Sequence, residues 1–257
     1  ISLMAIFWLH QMNNEQKIKY IIDWIKSYAS NTPKSTKSLI VGVSGGIDSA
    51  LISTLCAMSG LESILIRIPI KSKDISLSRQ HCDYLTDNFD NVKSYEIDLT
   101  ATFEKFKSSC IEIGFINDLG FANSKARMRM TLLYQAATTF SGLVVGTGNK
   151  VEDFGVGFYT KHGDGGVDIS PIADLTKTEV RDLAEELNIL KSIIKAAPSD
   201  GLWDDDRTDE DQLGLSYEQI EDAMINKDSI YNEKYLEIRK KNQHKMKPIP
   251  VCIINKK

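Results

Sequence analysis

The apolar positions of the chain fall into short continuous runs separated by segments of helical periodicity. The runs SLIVGV, SILIRIPI and GLVVGT, the last from Gly142 to Thr147, carry aliphatic side chains at successive positions. Such runs are typical of strands that are buried on both faces of a parallel sheet. The stretch VKSYEID alternates between apolar and polar residues and predicts a further strand.

Helical patterns lie between these strands. The apolar face of the first predicted helix, EQKIKYIIDWIKSYA, consists of Ile18, Ile21, Ile22, Ile25 and Tyr28. Further helices are predicted from Asp48 to about Met58, over Asp74–Phe89, over Thr100–Ile113 and over Asn123–Phe140. The stretch TKTEVRDLAEEL opens with Thr176 and, three residues later, Glu179, which is the spacing of a capping box.

The alternation of strands and helices predicts an α/β fold, a doubly wound parallel sheet flanked by helices. Ligands of such sheets bind beyond the carboxyl ends of the strands, so the turn after the first strand and the loop after LVVGT are the places to look for a site. The length of 257 residues fits one α/β domain or two small ones, and the 42% hydrophobic content suffices for a core. The sequence shows no linker long enough to split the chain, so we expect a single domain over residues 1–257.

Charge and cysteine usage narrow the class of protein. The formal net charge is −4 and no dense stripe of Lys or Arg is present, which argues against nucleic acid as a partner. The four cysteines are scattered without a CxxC pair, which predicts reduced thiols and a cytoplasmic protein. The apolar stretch Ile1 to Leu9 is too short to span a membrane and lacks the features of a secretory signal. We therefore expect residues 1–12 to be an upstream extension or a vector-derived leader, and no membrane partner.

The stretch VSGGIDS follows the first strand directly and carries the clearest chemistry. A sharp turn into a helix leaves the first N–H groups of that helix unpaired, and phosphate commonly binds there. Gly45 and Gly46 let the backbone approach such an anion, and Ser44 and Ser49 add hydroxyl groups. The bare carboxylate of Asp48 would repel phosphate, so a cation has to lie between them, and Mg²⁺ prefers carboxylate and phosphate oxygens. The stretch matches neither the Walker loop nor GxGxxG.

SGGxDS resembles the signature of the ATP pyrophosphatases, enzymes that cleave ATP between its α and β phosphates. The stretches SKARMRMTLLYQAA, LVVGTGNKVEDFGVGFYTKHGDGGVDISPIADLTKTEV and KKNQHKMKPIP resemble one family of that group, the NAD synthetases. The similarity runs from roughly Asn14 to Pro250 and implies a Rossmann-like fold of the adenine nucleotide alpha hydrolase type. It also implies amidation of deamido-NAD with ammonia through an acyl-adenylate, giving NAD, AMP and pyrophosphate. Because this similarity fills the chain, we expect the ammonia-dependent form, without a glutamine-hydrolysing domain.

The resemblance assigns residues to three sites. The residues implied to bind ATP are Gly42, Val43, Ser44, Gly45, Gly46, Ile47, Asp48, Ser49, Arg67, Thr147, Lys177 and Ser199. The residues implied to bind deamido-NAD are Arg127, Lys161, Asp168, His244 and Lys245. Asp48 and Glu152 are implied to hold Mg²⁺. The family also implies a homodimer with the deamido-NAD site at the subunit boundary.

Several points stay open at the level of sequence. The acidic stretch SDGLWDDDRTDEDQLG, residues 199–214, reads as an aperiodic surface loop from its composition and as a lid over the site from the resemblance. The base that takes a proton from the ammonium is not evident, and Asp153 is one candidate. The stretch VEDFGVGFYTK holds one residue more between Glu152 and Lys161 than some family members. The alternatives are a tRNA-modifying ATP pyrophosphatase and a non-catalytic adenine-nucleotide sensor.

Overall fold

The computed structural model describes residues 12–32, 36–72, 74–199, 201–203 and 207–254. The predicted leader at residues 1–12 therefore lies outside the described residues, apart from Met12. No helix in the described ranges is long and apolar enough to cross a membrane.

Four parallel strands form the central sheet. They are β1 (Ser38–Gly42), β2 (Glu62–Arg67), β3 (Val92–Glu96) and β4 (Gly142–Val144). Their order is β3-β2-β1-β4, and a parallel bridge from Val145 to Ile169 extends the edge beyond β4. The chain moves outward from β1 to β3 and returns to the other side of β1 with β4. The connections reverse direction between β1 and β4, and a cleft opens there at the carboxyl ends of the strands.

Helices follow the strands in the predicted alternation. Before β4 they are α1 (Asn14–Ser30), α2 (Ile47–Met58), α3 (Ser76–Asn88), α4 (Thr100–Glu112) and α5 (Asp118–Phe140). After β4 they are a π-helix, π1 (Val151–Val156), and then α6 (Lys177–Glu186), α7 (Lys191–Ile194), α8 (Asp209–Leu213), α9 (Tyr217–Ile225) and α10 (Asn232–Met246). Helix α5 begins earlier than predicted because the Asn117 side chain accepts a hydrogen bond from the Gly120 N–H and caps it. The predicted capping box of Thr176 and Glu179 is confirmed at the start of α6.

Both faces of the sheet are covered. Leu39 and Val41 of β1 pack with α1, α2 and α6 on one face, whereas Ile40 packs with α5 on the other. A third apolar cluster joins π1 to α9 and α10 beside the sheet. This arrangement confirms the doubly wound parallel sheet flanked by helices.

One residue predicted on the apolar face of α1 is not buried with the others. Ile18, Ile21, Ile22 and Ile25 are buried as expected, but Tyr28 is 43% exposed. The buried line of the helix continues four residues after Ile25 at Ala29, so Tyr28 falls on the neighbouring stripe. Its ring lies 5.5 Å from that of Trp24, one helical turn earlier.

Candidate active site

A cleft of about 740 Å³ opens at the carboxyl ends of β1 and β4. All residues that the sequence assigns to ATP and metal line it, namely Gly42 to Ser49, Arg67, Thr147, Glu152, Lys177 and Ser199. None of the residues assigned to deamido-NAD is among the lining residues of this cleft in the described part of the chain. The residues predicted to bind ATP and metal therefore line the cleft, whereas those predicted to bind deamido-NAD do not.

The glycine turn between β1 and α2 forms the floor of the cleft. Gly45 has a φ of +94°, and a Cβ atom there would lie 3.2 Å from the backbone N of Ser78, so glycine suits both the conformation and the space. The Ser49 hydroxyl donates to the Gly46 carbonyl at 2.9 Å, and the Gly46 N–H donates to Ser44 Oγ at 3.2 Å. Both serines thus shape the turn itself. No described side chain caps the α2 N-terminus, where Gly46 is the cap residue and where Ile47 and Asp48 line the cleft. An uncapped helix N-terminus is the kind of place where anions bind.

Two carboxylates and one ammonium group lie at the centre of the cleft. Asp48 in the first turn of α2 and Glu152 in π1 both approach Lys177, the first residue of α6. The Lys177 Nζ lies 2.6 Å from Asp48 Oδ2 and 3.0 Å from Glu152 Oε1. The Lys177 side chain is only 3% exposed. Burial alone would lower the pKa of Lys177, but the two carboxylates outweigh it and raise the pKa, so the ammonium stays charged.

Asn149 positions both carboxylates. Its Nδ2 donates to Asp48 Oδ1 at 2.9 Å, and its Oδ1 accepts from the N–H groups of Val151 and Glu152 at 3.0 and 3.1 Å. One buried amide therefore connects the start of α2 with the start of π1. Because the amide uses donor and acceptor together, it fixes the distance between the two acidic residues.

Tyr217 holds Glu152 from the opposite side. The Tyr217 hydroxyl lies 2.6 Å from Glu152 Oε1 and 3.2 Å from Asp209 Oδ2, and its ring lies 4.7 Å from the Lys177 Nζ. A phenol has a single proton, and the shorter contact assigns it to Glu152. Burial, followed by the charges of Glu152 and Asp209, raises the pKa of Tyr217, so the phenol remains a donor.

The π1 segment carries the metal candidate and is braced from outside the sheet. The segment Val151–Val156 is a π-helix, in which each turn takes up one residue more than in an α-helix. The Arg239 Nη1 of α10 donates to the carbonyls of Phe154 and Gly155, the latter at 2.6 Å. The Asn242 Nδ2 donates to the Val156 carbonyl at 2.9 Å. Helix α10 thus satisfies the carbonyl end of the helix that presents Glu152.

Asp153 also faces the cleft. Its carboxylate lies so close to Gly148 that no Cβ atom would fit at that position. Burial, followed by the charges of Glu152, Asp164 and Asp48, raises the pKa of Asp153 to about 7. Asp164, which the sequence analysis did not single out, lines the same cleft and accepts from the Thr160 N–H at 3.0 Å.

Arg67 reaches the rim of the cleft with its guanidinium already engaged. Its Nε donates to Glu96 Oε2 at 3.1 Å, and its Nη1 donates to Ser94 Oγ at 2.7 Å. Glu96 also binds Arg79, and this contact above all lowers the pKa of Glu96 to about 2. Arg67 is therefore held by Ser94 and Glu96 of the neighbouring strand β3, and it forms part of the cleft wall.

Three of the five residues assigned to deamido-NAD meet at the loop after π1. The Arg127 Nε donates to the Lys161 carbonyl at 3.2 Å, and the Lys245 Nζ donates to the Tyr159 carbonyl at 2.7 Å. Lys245 also lies over the Tyr159 ring at 5.1 Å. These contacts bring three cationic residues to one loop, as binding of an anionic nucleotide would require.

The other two assigned residues lie apart from this loop. The Asp168 carboxylate accepts from the Val144 N–H at 2.8 Å and from the Tyr134 hydroxyl at 3.0 Å, so it secures the end of β4. His244 is exposed on α10, where its Nδ1 lies 3.2 Å from the Lys241 carbonyl of the same helix. None of these three contacts involves a residue that lines the cleft.

The acidic stretch borders the cleft through several described residues. Ser199, Gly201, Trp203 and Arg207 line it, and the Arg207 guanidinium lies 4.1 Å from the Trp203 ring. The prediction of an aperiodic segment is wrong at its end, because Thr208 caps helix α8 with a capping box. Residues 200 and 204–206 lie outside the described residues.

The acidic residues of the cleft can be compared with the ligands that Mg²⁺ prefers. No group of three or more His, Cys, Asp or Glu side chains with metal-binding geometry occurs within the described ranges. Asp48 and Glu152 nevertheless present carboxylate oxygens to one shared cation, Lys177, which is the donor chemistry that Mg²⁺ takes. The pair therefore fits a magnesium ion that draws its remaining ligands from phosphate and water.

Comparison with known proteins shows which family the chain resembles over most of its length. The NAD synthase family profile matches residues 17–250. The NH3-dependent NAD+ synthetase of Mesoplasma florum is 34% identical over 237 residues, 91% of this chain and 93% of its own. The enzyme of the same description from Methanococcoides burtonii is 40% identical over 209 residues, 79% and 76% of the two chains. A structure described as NMN synthetase from Francisella tularensis superposes with a TM-score of 0.85 and 28% identity, covering 95% of this chain and all of that one.

Proposed function

Since the chain belongs to the NAD synthase family, we propose that it is an NH3-dependent NAD synthetase, a ligase that uses ATP to amidate deamido-NAD with ammonia. The observation that carries this proposal is the convergence of Asp48, Glu152 and Lys177 beside the glycine turn, in a chain whose relatives share the family over most of their length. We further propose that residues 1–257 form one catalytic domain.

The cleft suits the triphosphate of ATP. The α2 N-terminus and the backbone of the glycine turn offer N–H donors and the positive end of a helix dipole. Lys177 adds a positive charge that is close to both acidic residues and to the turn. Asp48 and Glu152 would hold Mg²⁺, which when bound supplies Lewis-acid polarisation and screens the charge of the phosphates.

The proposed reaction has two steps. A carboxylate oxygen of the nicotinate attacks the α-phosphorus of ATP, the bond to the bridging oxygen breaks, and pyrophosphate leaves. Ammonia then attacks the acyl carbon, AMP leaves with its phosphate oxygen, and one proton is lost to a base. This chain's contribution is to orient the two anions and to stabilise the developing charge. We place Asp153 as the candidate acceptor of the proton because its carboxylate lies in the cleft beside Glu152.

The cationic loop after π1 is the proposed binding place for deamido-NAD. Arg127, Lys161 and Lys245 lie around it, and Lys245 reaches it from α10. We assign Asp168 and His244 to the same substrate on the resemblance alone. The described residues Ser199, Gly201, Trp203 and Arg207 of the acidic stretch would exclude water from the nucleotide, since an acyl-adenylate hydrolyses in contact with water.

We propose that the enzyme is a homodimer and works in the cytoplasm. The junction of α4 and α5 exposes the large apolar residues Phe106, Ile113, Phe115, Ile116 and Leu119. Several exposed apolar residues in one segment favour an interface, and a second copy of the chain is the partner that the family implies. The cytoplasmic assignment rests on the four scattered cysteines, which form no CxxC pair in the sequence. Sedimentation analysis of a Phe115→Asp, Ile116→Asp variant should give a monomer where the parent protein gives a dimer.

A second candidate function is the formation of NMN by the corresponding amidation of nicotinate mononucleotide. The observation that favours it is the extent of similarity to the Francisella tularensis NMN synthetase. The chemistry of the acyl group is the same, so the cleft residues would keep their roles. The two functions differ only in whether an AMP moiety has to be bound beyond the first phosphate.

One assay separates these possibilities. The protein is mixed with ATP, Mg²⁺ and ammonium, together with either deamido-NAD or nicotinate mononucleotide, and NAD, NMN, AMP and pyrophosphate are quantified. Faster turnover of deamido-NAD supports the proposed function, and faster turnover of the mononucleotide supports the second candidate. Neither amide would form if the protein were a tRNA-modifying enzyme or a nucleotide sensor. Substantial product with glutamine in place of ammonium would contradict the ammonia-dependent assignment.

A further inference from the structure

The position between the two proposed magnesium ligands already holds a cation that belongs to the chain. We propose that Lys177 is an internal counter-ion that occupies the magnesium position in the nucleotide-free protein and leaves it when nucleotide and metal bind together. The Lys177 Nζ contacts Asp48 at 2.6 Å and Glu152 at 3.0 Å. The inference rests on the proposed function for the identity of the nucleotide, whereas the metal binding that it predicts requires no turnover.

Local structure does not explain why a lysine stands at this position. Lys177 is the first residue of α6, where the positive end of the helix dipole disfavours a cation. The side chains of Thr176 and Glu179 already cap this helix reciprocally, so its N-terminus gains nothing from Lys177. The stabilising partners of Lys177 are therefore the two carboxylates from other elements and the face of the Tyr217 ring at 4.7 Å.

Magnesium and the ammonium group compete for the same carboxylate oxygens. The two carboxylates and Lys177 together carry a charge of −1, and both carboxylate side chains are only 17% exposed. A divalent ion added to this group would lie close to a second cation, in a place where water screens their repulsion poorly. The ammonium group is tethered and therefore present at a high effective concentration. Free magnesium is a weak competitor under these conditions.

The phosphates of a nucleotide change this competition. Asp48 follows the glycine turn directly, so an anion bound at the turn lies next to the three charged groups. Phosphate oxygens give the flexible lysine side chain a new partner and give magnesium its missing ligands. Lys177 thus compensates one of the two negative charges of the acidic pair until the nucleotide arrives, and metal and nucleotide bind with positive coupling.

The test measures metal binding to the full chain without nucleotide or substrate. Mn²⁺, which reports its free concentration by electron paramagnetic resonance, is titrated into the parent protein and into Lys177→Met, which keeps an apolar stem on Tyr217. We expect Lys177→Met to bind Mn²⁺ at least about tenfold more tightly than the parent protein. Adding Asp48→Asn to Lys177→Met should remove this gain. Lys150→Met is the matched control, because Lys150 pairs with Asp174 at 2.9 Å outside the acidic pair, and it should bind Mn²⁺ like the parent.

Equal Mn²⁺ affinity in the parent protein and in Lys177→Met would overturn the proposal. If Lys177→Met does not fold, Mn²⁺ binding to the parent protein decides. Tight Mn²⁺ binding without nucleotide would contradict a site that Lys177 occupies. Weak Mn²⁺ binding that becomes tighter when a non-hydrolysable ATP analogue is added would support the proposal. The outcome is independent of the reaction. A protein that shows the expected metal binding but forms no amide would refute the proposed function and leave the counter-ion role in place.

Discussion

Removing one oxygen atom from Tyr217 tests whether a buried hydrogen bond sets the position of Glu152. Tyr217 is completely buried, and its hydroxyl donates to Glu152 Oε1 at 2.6 Å. Phenylalanine keeps the ring that packs with π1 and faces Lys177, so Tyr217→Phe removes the donor alone. A hydrogen bond to a charged group contributes roughly 1.5–3 kcal/mol. Because about 1.4 kcal/mol corresponds to a factor of ten, we expect kcat/KM to fall roughly 10- to 100-fold.

The assay is amide formation at varied Mg²⁺ concentration, combined with thermal unfolding. Glu152 without its donor is a less well oriented ligand, so the Mg²⁺ concentration at half-maximal rate should rise together with the loss of kcat. For a chain of this length, a loss of about 2 kcal/mol corresponds to a decrease of roughly 4–8 °C in Tm. The matched control is Tyr235→Phe in the same apolar cluster, whose hydroxyl makes only a 3.4 Å contact with Arg239. A Tyr217→Phe enzyme with the rate and Mg²⁺ dependence of the parent would refute this reasoning.

Three further predictions concern other parts of the molecule. Asp48→Ala should lower turnover at least about a hundredfold through loss of a metal ligand while far-UV circular dichroism stays unchanged, and normal kinetics would contradict the metal role. Lys245→Ala should raise the KM for deamido-NAD more than the KM for ATP, and equal effects on both would count against its assignment. Burial lowers the pKa of His81 from 6.5 to about 4. As the pH falls, His81 therefore takes up a proton in the unfolded chain before it does so in the folded protein. The free energy of unfolding should decrease by about 3 kcal/mol between pH 6.5 and pH 4. In urea titrations His81→Gln should flatten this decrease whereas His244→Gln, at an exposed position, should not; equal slopes would refute the assignment to His81.

The fold followed from the sequence because its signals are local. Continuous aliphatic runs such as that of β1 mark buried parallel strands, and the capping box at Thr176 marks a helix start. The predicted start of α5 is too late because its polar first turn carries no apolar periodicity, although Asn117 is a capping residue. Tyr28 is predicted on the apolar face of α1 because helical spacing alone does not distinguish the centre of a buried stripe from its edge.

The site was predictable only where a motif carried it. Local chemistry predicts the glycine turn with Asp48, and the resemblance to a family adds Glu152 and Lys177. The structure brings all of them into one cleft. The residues that position these groups were missed. Asn149 lies within the stretch GTGNK that carries the resemblance, so a role for its amide beside Asp48 is predictable from that stretch. Tyr217, in contrast, contacts Glu152 from 65 positions further along the chain. A contact of that kind leaves no local pattern, because it depends on how separate elements pack.

The bracing of π1 by α10 makes the last long helix a remote determinant of chemistry. Arg239 and Asn242 lie far along the chain from Glu152, yet they hold the carbonyl end of the segment that presents it. A protein truncated before α10 would keep every strand of the sheet but would lose the hydrogen bonds from Arg239 and Asn242 that hold π1 and, with it, Glu152. Affinity tags or fusion partners attached at that end therefore belong among the variables of any kinetic study.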